Sequence, residues 1–366
     1  MEIKRYVGVM SGTSLDGIDV VLLAIPEGGK PYVEFSHSEP LPDSIIQQVQ
    51  ALLSAPQSLA FAGELSVSIA TAFATAVNTL VNTYEVNRET VTAIGCHGLT
   101  VWHQPYSDIR FSSQLVEASY LAQLTGIDVV TDFRNMDMAV GGQGAPLVPG
   151  FHALMLEQDA IWVNIGGIAN LSVIEDSQVF GYDSGPGNTL LNHFCLRHFE
   201  CAFDAEGQIA ESGQLDQDLL TLLLDEPYFN LVYPKSTGKE LFNLEWLDAR
   251  LKSVNKAILH QDVLCTLTHL TAKSIASELN RFKSKLVVVS GGGLFNRYMM
   301  DLLAHYAADK TIVSSVSVGI DPQQVEAAAF AWLAHCRINS IPSNCPSVTG
   351  ANKKVILGAW YKGQAL

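Results

Sequence analysis

The sequence predicts an α/β protein of two domains, each beginning with a strand–polar turn–strand unit. At 366 residues the chain is long for one hydrophobic core. The apolar run at 7–25 is interrupted by "SGTSLDG", and the run at 160–175 is interrupted by "IGGIAN". A Gly-rich stretch at 139–150 separates the two halves. The repeat suggests duplicated domains that face each other across a cleft.

Apolar spacing predicts the individual elements. It indicates a strand pair over 6–25, further strands at 32–37, 91–98 and 127–133, and helices over 43–54, 63–82 and 112–126. The second half should contain a strand at 286–289 followed by a glycine triplet and a helix, and a later helix within 321–336. We therefore expect one domain made of 1–134 with about 340–366, and a second made of 135–339.

The composition excludes several classes of partner. The chain has 37 acidic residues against 22 lysines and arginines, a formal net charge of −15, so its surface repels phosphate backbones and anionic membranes. The 6 cysteines form no C-x-x-C pair and no zinc-type spacing with histidine, which predicts reduced, small apolar residues. The start lacks the features of a secretory signal, and no apolar run approaches a membrane span. We expect a soluble, cytoplasmic protein without nucleic-acid or membrane partners.

The bend "SGTSLDG" is a candidate phosphate site. Its two glycines permit unusual dihedrals, so that backbone N–H groups can point at an anion, and the hydroxyls of Thr13 and Ser14 add donors. The carboxylates of Asp16 and Asp19 favour such a site only if a divalent cation lies between them and the phosphate. The alternative interpretation is an ordinary hairpin with a polar turn.

Two further glycine turns favour nucleotide binding. One is "NIGGIAN" and the other is "SGGGLFN", which follows a buried strand. No P-loop, protein-kinase motif or GxGxxG fingerprint occurs. The pattern points to the actin/hexokinase/heat-shock ATPase group. The nucleotide-binding residues expected in these two turns are Asn164, Gly166, Gly167, Gly291, Gly292 and Gly293.

Asp183 is the candidate general base. It lies in "YDSGPGN", at a strand end that precedes a rigid Gly/Pro turn, where a carboxylate would face the cleft. The alternative is that Asp183 caps the helix that starts near Asn188. Farther along, "YPKSTGKELFN" contains two lysines near Ser and Thr and is expected to be a surface loop.

Several other polar residues have two interpretations. Arg134 either forms a structural ion pair with Asp132 or receives an anionic substrate group in bidentate fashion. Glu326 is either an ordinary exposed residue of an Ala-rich helix or part of the site. His97 and His103 have no acidic neighbour in sequence, which favours hydrogen bonding over metal ligation.

Taken together, these segments resemble the anhydro-N-acetylmuramic acid kinase family over nearly the whole chain. The segments that carry the resemblance are "GVMSGTSLDGIDV", "CHGLTVWH", "DFR", "GGQGAPLVP", "NIGGIANLS", "DSGPGN", "PKSTGKELFN", "SGGGLFN", "DPQQVEAAAFAWLA" and "PSVTGA". Their combination in this order is specific, whereas each short glycine motif alone is not.

The resemblance implies a fold, a reaction and roles for named residues. The fold is a two-domain, actin/hexokinase-like one, and the cofactors are ATP and Mg²⁺. The reaction opens the internal anhydro ring with water and phosphorylates the C6 oxygen, giving N-acetylmuramic acid 6-phosphate and ADP in cell-wall recycling. Asp183 would be the catalytic base, Arg134 and Glu326 would contact the sugar, and the protein would be a homodimer. The direct metal ligands are left open. The ATP-binding segment would comprise Gly12, Thr13, Ser14, Leu15, Asp16, Gly17, Ile18 and Asp19.

Two positions depart from the expected family pattern. Leu99 stands where a Gln is expected, which puts a polar contact near His97 in doubt, and Asn192 stands where an Asp is expected.

One alternative function is an ordinary sugar kinase of the same fold, in which Asp183 deprotonates a hydroxyl and no ring opens. The other is a nucleotide-switched scaffold ATPase. The sequence argues against this function, because no long extra domain or peptide-binding segment is left over.

Overall fold

The computed structural model describes residues 2–12, 15, 17–233 and 235–364. The strands are β1 (Ile3–Met10), β2 (Ile18–Pro26), β3 (Tyr32–Glu39), β4 (Val91–Cys96), β5 (Leu99–Gln104), β6 (Phe111–Leu115), β7 (Val129–Thr131), β8 (Ala160–Ile165), β9 (Ile168–Glu175), β10 (Gln178–Pro186), β11 (Leu286–Ser290), β12 (Thr311–Ser314) and β13 (Ala359–Tyr361).

The helices alternate with these strands. They are α1 (Asp43–Ser54), α2 (Leu59–Thr83), α3 (Ala118–Thr125), α4 (Phe133–Ala139), α5 (Pro149–Met155), α6 (Thr189–His198), α7 (Gln208–Ser212), α8 (Gln217–Leu224), α9 (Leu244–Ser253), α10 (His260–Leu279), α11 (Arg297–Tyr306), α12 (Val325–Ile338) and α13 (Pro346–Thr349).

The chain forms two compact units. Unit 1 consists of Met1–Met155 and Gln323–Leu366, and unit 2 consists of Leu156–Pro322. The predicted division assigned 135–155 and 323–339 to the second domain, whereas the structure includes both segments in unit 1. The reason is that α12 packs on β1, β2 and β4 of the unit 1 sheet, and its residues therefore belong to that core.

The two units share a five-stranded sheet topology, to which unit 1 adds β13 at one edge. In unit 1 the order is β13-β7-β4-β1-β2-β3, and in unit 2 it is β10-β9-β8-β11-β12. The first three strands of each unit pair antiparallel. A parallel strand, β4 or β11, lies beside the first of them, and a second parallel strand, β7 or β12, lies beside that one, while β13 pairs antiparallel with β7. The predicted α/β class and the repeated strand–turn–strand unit are confirmed. The doubled topology is that of the actin/hexokinase/heat-shock ATPase-like fold, while a cleft between the domains stays a prediction.

Helix α2 forms one side of the unit 1 core. Its buried Leu65, Ile69, Phe73 and Val77 recur at four-residue spacing and belong to the same apolar cluster as the strand residue Val20. The helix has 25 residues, and its mean hydropathy over an 18-residue window is 1.5. By length and composition it could therefore span a membrane. The expectation that no apolar run approaches that length is therefore wrong. The cluster shows that α2 is a core helix of this unit.

Helix α10 has the central place in unit 2. Fifteen of its 20 residues are buried, as is typical of a helix surrounded on all sides by its own domain. Trp162 on β8 is also fully buried, and its indole N–H donates to Ser290 Oγ at 2.8 Å. The six cysteines are free thiols, of which Cys96, Cys195, Cys265 and Cys336 are buried, as the sequence predicted.

One predicted helix is partly a strand. The helix expected over 112–126 exists only as α3, which ends at Gly126 in the left-handed conformation. Residues 111–115 instead form β6, which pairs with β5 in a separate two-stranded sheet. Asn135 reinforces this pairing, because its side chain exchanges hydrogen bonds of 3.0 Å with the backbone N–H and C=O of Ser112. Such long-range partners are invisible to local periodicity.

Two glycines allow α12 to lie close to the unit 1 sheet. Gly8 on β1 and Gly95 on β4 are register partners. A Cβ atom on Gly8 would overlap the carbonyl of Ala327, and a Cβ atom on Gly95 would overlap the carbonyl of Phe330. Because both obstacles are backbone atoms of α12, the helix cannot keep its place if either strand carries a side chain here.

Gly95→Ala should therefore destabilise the protein by about 1–3 kcal/mol, the usual cost of overpacking a core. The free energy of unfolding is measured by chemical denaturation, and the m-value should be unchanged. The control is Gly63→Ala on the exposed side of α2, where a Cβ atom would meet nothing within 4 Å. That variant should be as stable as the parent or more so, because alanine favours the helix. Equal midpoints for both variants would contradict this account of the sheet–helix contact.

Candidate active site

Three polar turns of unit 2 lie at one edge of its sheet. Strands β8 and β10 both run antiparallel to β9, and β11 runs parallel to β8, so the carboxyl ends of β8, β10 and β11 share that edge. The turns that follow contain Gly166, Gly187 and Gly291. The first two turns are joined, because Gly187 N–H donates to Gly167 O at 2.9 Å and Asn188 N–H donates to Gly166 O at 2.8 Å.

The glycine triplet after β11 has both a packing role and an open face. Gly291 has a φ of +82°, and a Cβ atom there would lie 2.5 Å from Asn164 Oδ1. A Cβ atom on Gly293 would overlap the side chain of Ile165. At Gly292, by contrast, it would meet only Asn188 Nδ2 at 3.9 Å. The predicted strand–turn–helix is confirmed, since a short 3₁₀ turn leads into α11.

A buried hydroxyl lies beside the first glycine turn. Thr189 is 4% exposed, and within the described ranges its Oγ1 has no hydrogen-bond partner. A Cβ atom placed on Gly167 would be 3.9 Å from the Cβ of Thr189. Buried hydroxyls normally have partners. A ligand oxygen at this turn would supply the missing one, so these residues fit the phosphate groups of a nucleotide.

The predicted ATP-binding segment of unit 1 is only partly described, because Thr13, Ser14 and Asp16 lie outside the described residues. Leu15 N–H donates to Gly12 O at 3.1 Å, and Ser11 Oγ donates to Gly17 O at 2.8 Å. Ile18 is buried at the start of β2, and Asp19 Oδ1 accepts a 2.6 Å hydrogen bond from Ser38. ATP binding by this segment stays a prediction.

Asp183 lies in β10 and is held by a loop distant in sequence. Its Oδ2 accepts hydrogen bonds of 3.0 Å from both Ser236 Oγ and Thr237 N–H. The N-cap of α6 is Asn188, without a side-chain capping bond. The capping interpretation of Asp183 is therefore wrong. No hydrogen bond to Asp183 Oδ1 occurs within the described part of the chain, so this oxygen is available to a ligand.

The environment of Asp183 raises the affinity of its carboxylate for a proton. Burial raises the pKa from its ordinary value of 3.8 to about 6, although the hydrogen bonds from Thr237 and Ser236 act in the opposite direction. The negative charge of Glu240 adds to the increase. A carboxylate with this pKa is ionised at neutral pH and is still basic enough to accept a proton.

The loop that holds Asp183 was expected to be an ordinary surface loop. Ser236 is exposed as expected, but it and Thr237 hydrogen-bond to the Asp183 carboxylate, and Lys235 is buried. Thr237 Oγ1 is buried with no hydrogen-bond partner among the residues described. Sequence reasoning missed these roles because the contacts join positions more than 50 residues apart. The one available signal was the Ser/Thr pair in a motif of the resembling family.

Half-buried Arg134 and buried His97 form a hydrogen-bonded pair in unit 1. Strands β1, β4 and β7 are parallel neighbours, so the residues after β4 and β7 come to one edge of the sheet. Arg134 Nε and Nη2 donate to His97 Nε2 at 3.1 and 2.9 Å, and Nη1 donates to Gly144 O at 2.8 Å. Burial and the guanidinium charge lower the pKa of His97 well below 6.5, which keeps the imidazole neutral and able to accept.

The pair leaves part of the guanidinium available. Of the five N–H bonds of Arg134, three are used, and the described residues take neither of the other two. The structural ion pair with Asp132 is absent, because Asp132 accepts from Asn135 Nδ2 at 2.6 Å instead. Burial lowers the pKa of Arg134 to about 10, against the opposing effect of Glu326.

Glu326 is therefore close enough to Arg134 to act on its charge. It lies in the first turn of α12 and is half-buried, so the interpretation as an ordinary exposed helix residue is wrong. His97 and His103 hydrogen-bond as predicted, His103 through Nδ1 and Ser112 Oγ at 3.0 Å. Leu99 is fully buried in the apolar core of unit 1.

The site residues thus form two groups, each inside its own unit. Unit 1 brings together His97, Arg134 and Glu326, and unit 2 brings Asp183 together with its supporting loop and the glycine turns. No group of three His, Cys, Asp or Glu side chains suited to a metal ion occurs within the ranges described above. The Gly-rich stretch at 139–150, expected to separate the two halves, lies inside unit 1, where buried Asp137 accepts a hydrogen bond from Gly144 N–H at 2.9 Å.

Comparison with known proteins agrees with the resemblance. The family model for anhydro-N-acetylmuramic acid kinase matches residues 4–363. Curated relatives of that name include proteins from Pasteurella multocida, 44% identical over 97% of this chain and 96% of the relative, and Shewanella baltica, 42% identical over 100% of both. The Haemophilus influenzae relative is 42% identical over 99% of this chain and 98% of the relative.

Solved structures are more distant. The activator of the 2-hydroxyisocaproyl-CoA dehydratase from Clostridium difficile aligns over 92% of this chain and 96% of that chain, with 12% identity and a TM-score of 0.49. The nearly complete family match and the identities above 40% lead to one conclusion. The chain belongs to the anhydro-N-acetylmuramic acid kinase family and is an ATP-dependent phosphotransferase.

Proposed function

We propose that this chain opens the anhydro ring of anhydro-N-acetylmuramic acid with water and transfers the γ-phosphoryl group of ATP to the C6 oxygen. The products are N-acetylmuramic acid 6-phosphate and ADP, and the process belongs to peptidoglycan recycling. Family membership supports the substrate and the phosphoryl transfer. The observation that carries the ring opening is the Asp183 carboxylate, with one oxygen held by Ser236 and Thr237 and the other available.

Asp183 acts as the general base in this proposal. It takes a proton from water as the water oxygen attacks the anomeric carbon, and the bond from that carbon to the C6 oxygen breaks. The C6 oxygen keeps the electron pair and attacks the γ-phosphorus, so that the bond to ADP breaks. Phosphoryl transfer itself depends mainly on positioning and on neutralisation of charge.

Arg134 and Glu326 hold the sugar in this proposal. The lactyl group of the substrate carries a carboxylate, and a bidentate pair with that carboxylate requires two N–H donors, the number that Arg134 has left. The neutral His97 and the carbonyl of Gly144 orient the guanidinium without cancelling its charge. Glu326 would accept hydrogen bonds from polar groups of the sugar.

ATP and Mg²⁺ are assigned to the glycine turns. We propose that Gly166, Gly167 and Gly291–Gly293 hold the nucleotide, together with Gly12–Asp19, and the partnerless hydroxyl of Thr189 supports this. Mg²⁺ commonly binds through substrate phosphates and one or two carboxylates, so a cluster of three protein ligands is not required. When bound, it neutralises phosphate charge. Asp19 is the described carboxylate nearest in sequence to the turn at Gly12–Gly17.

Two broader proposals rest on the family resemblance. The protein forms a homodimer, and it works in the cytoplasm, where ATP is available. The acidic net charge of −15 is consistent with a surface that does not bind nucleic acid or anionic membranes.

The ring-opening step is tested with isotopically labelled water. The protein is incubated with ATP, Mg²⁺ and the anhydro sugar, and the product is analysed by mass spectrometry and NMR. We expect a phosphorylated, open sugar that carries the label at the anomeric position. A phosphorylated sugar with the anhydro ring intact would indicate an ordinary sugar kinase. ADP release that the sugar does not stimulate would indicate a nucleotide-switched ATPase.

Asp183→Asn should lower kcat by about 10²–10⁴-fold, since a general base typically contributes that much. The amide oxygen can still accept from Ser236 and Thr237, so sugar and ATP affinities should stay near those of the parent. In the parent, kcat/KM should fall as the pH decreases below about 6, because protonated Asp183 is no longer a base. Near-normal turnover of the variant would assign the base role to another acid.

Stability provides the control for the same variant. A pKa raised above 3.8 means that the folded state binds the proton more tightly, so ionised Asp183 lowers stability above pH 6. Asp183→Asn removes this effect and should melt at pH 8 no lower than the parent. Asp176→Asn, in the exposed turn between β9 and β10, is the matched control and should leave kcat unchanged.

Arg134→Lys should raise the KM for sugar about tenfold or more, because lysine keeps the charge but loses the planar fork. The KM for ATP should hardly change. Arg110→Lys is the matched control, since exposed Arg110 donates to Gly141 O in the same Gly-rich stretch. Steady-state kinetics with each substrate varied in turn provides the measurement. Sugar constants equal to those of the parent would refute the contact.

A further inference from the structure

We infer that the buried ion pair between Lys235 and Glu278 positions Asp183, which makes Lys235 a positioning residue for the base. The inference deepens the proposed function and rests on the proposed role of Asp183. Lys235 touches neither the carboxylate of Asp183 nor any group assigned to the substrates. It would act through the loop of residues 235–237, named here the base loop.

The ion pair is almost completely enclosed. Lys235 Nζ donates to Glu278 Oε1 at 2.8 Å, and the two side chains are 2% and 3% exposed. The ammonium group also lies 4.9 Å from the ring centre of Tyr228. Glu278 Oε2 accepts from the hydroxyl of Tyr182 at 3.1 Å and from Arg281 Nε at 3.2 Å. Every partner of Lys235 is thus part of the unit 2 core.

The base loop reaches Asp183 through several hydrogen bonds. Asp183 N–H donates to Lys235 O at 3.2 Å, while Ser236 and Thr237 donate to the carboxylate. On the other side, the hydroxyl of Tyr228 donates to Asp183 O at 2.8 Å. Both backbone polar groups of Asp183 therefore bond to groups that also contact Lys235 or belong to it.

The surroundings of the base loop explain why an anchor is needed. Among the described residues of 231–240, Lys235 alone is buried, and Ser236 is exposed. The register of β10 against β9 shifts between Asp183 and Gly185, so the regular ladder is interrupted at the base. Without the Lys235 side chain in the core, an exposed segment would have to hold a carboxylate at an irregular point of a strand.

Stability alone does not account for the choice of a charged pair. Buried ion pairs lose much of their Coulomb attraction to desolvation, and apolar replacements of both partners are often as stable. An ion pair does, however, specify one arrangement, because the ammonium group must meet its carboxylate and cannot slide like a methyl group. Such an anchor suits a loop whose next two residues hold the base, since displacements of about 1 Å can reduce rates about 10²-fold.

The test compares Lys235→Met with a matched buried lysine. Lys310 in the same unit has a side chain that is 1% exposed, and its Nζ donates to Phe282 O and Ser284 O, neither of which hydrogen-bonds to Asp183 or to the base loop within the described residues. Lys235→Met should lower kcat about 10- to 100-fold with ATP affinity unchanged. Lys310→Met should lose stability while its kcat stays at the parent value.

A double-mutant cycle with Asp183→Asn identifies the route of the effect. If Lys235 acts through Asp183, Lys235→Met causes no further fall of kcat once Asp183 is Asn. Independent effects would multiply, and that result would overturn the inference. Lys235→Arg retains the charge and should recover part of the rate. If Lys235→Met does not fold, the double replacement Lys235→Met with Glu278→Leu removes both charges and is measured instead, with the same expectation.

The outcomes separate this inference from the proposed function. An Asp183→Asn variant with normal turnover overturns both, because no base is left to position. A strongly impaired Asp183→Asn variant, together with a Lys235→Met variant that turns over like Lys310→Met, overturns the positioning role alone. Loss of rate in Lys235→Met and no additional loss in the double mutant support the inference.

Discussion

The contact between α12 and the glycine pair of β1 and β4 is the constraint on which unit 1 depends. Gly8 and Gly95 face each other in register and leave room for helix backbone instead of side chains. The close approach brings Phe330 to 4.6 Å from the ring centre of His97 and 5.4 Å from that of Phe133. It also places the first turn of α12, with Glu326, near the guanidinium of Arg134. The absence of a Cβ atom at Gly8 and Gly95 thus determines where the Glu326 carboxylate lies.

In each unit, the charged side chain proposed to act on the substrate is held by uncharged hydrogen-bond partners. Arg134 is held by a neutral imidazole and a carbonyl, and Asp183 is held by a hydroxyl and a backbone N–H. These partners restrict orientation but leave the formal charge in place. Burial raises the free energy of the charged form of each side chain. It therefore lowers the pKa of Arg134 and raises the pKa of Asp183. A ligand that matches the charge would relieve part of the cost.

Local patterns predicted much of this arrangement. The helix over 43–54, the glycine at the end of α3 and the strand before the glycine triplet have the predicted places, because apolar period and glycine placement are local signals. Residues 111–115 were misassigned because their strand partner is β5. Ser236 and Thr237 were missed because their partner is some 50 residues away, and the unit boundaries because α12 returns to the first sheet. Contacts distant in sequence account for each difference.

The return of the chain to unit 1 has a consequence for synthesis on the ribosome. Residues 1–155 emerge first, but the helix that covers Gly8 and Gly95 follows only after all of unit 2. Unit 2 is continuous, so it has its whole core available before unit 1 is complete. Until α12 arrives, one face of a sheet rich in valine and leucine lacks its cover, and exposed apolar sheet surface promotes aggregation. The core of unit 1 thus cannot be completed during synthesis until a helix encoded after the whole of unit 2 has been made.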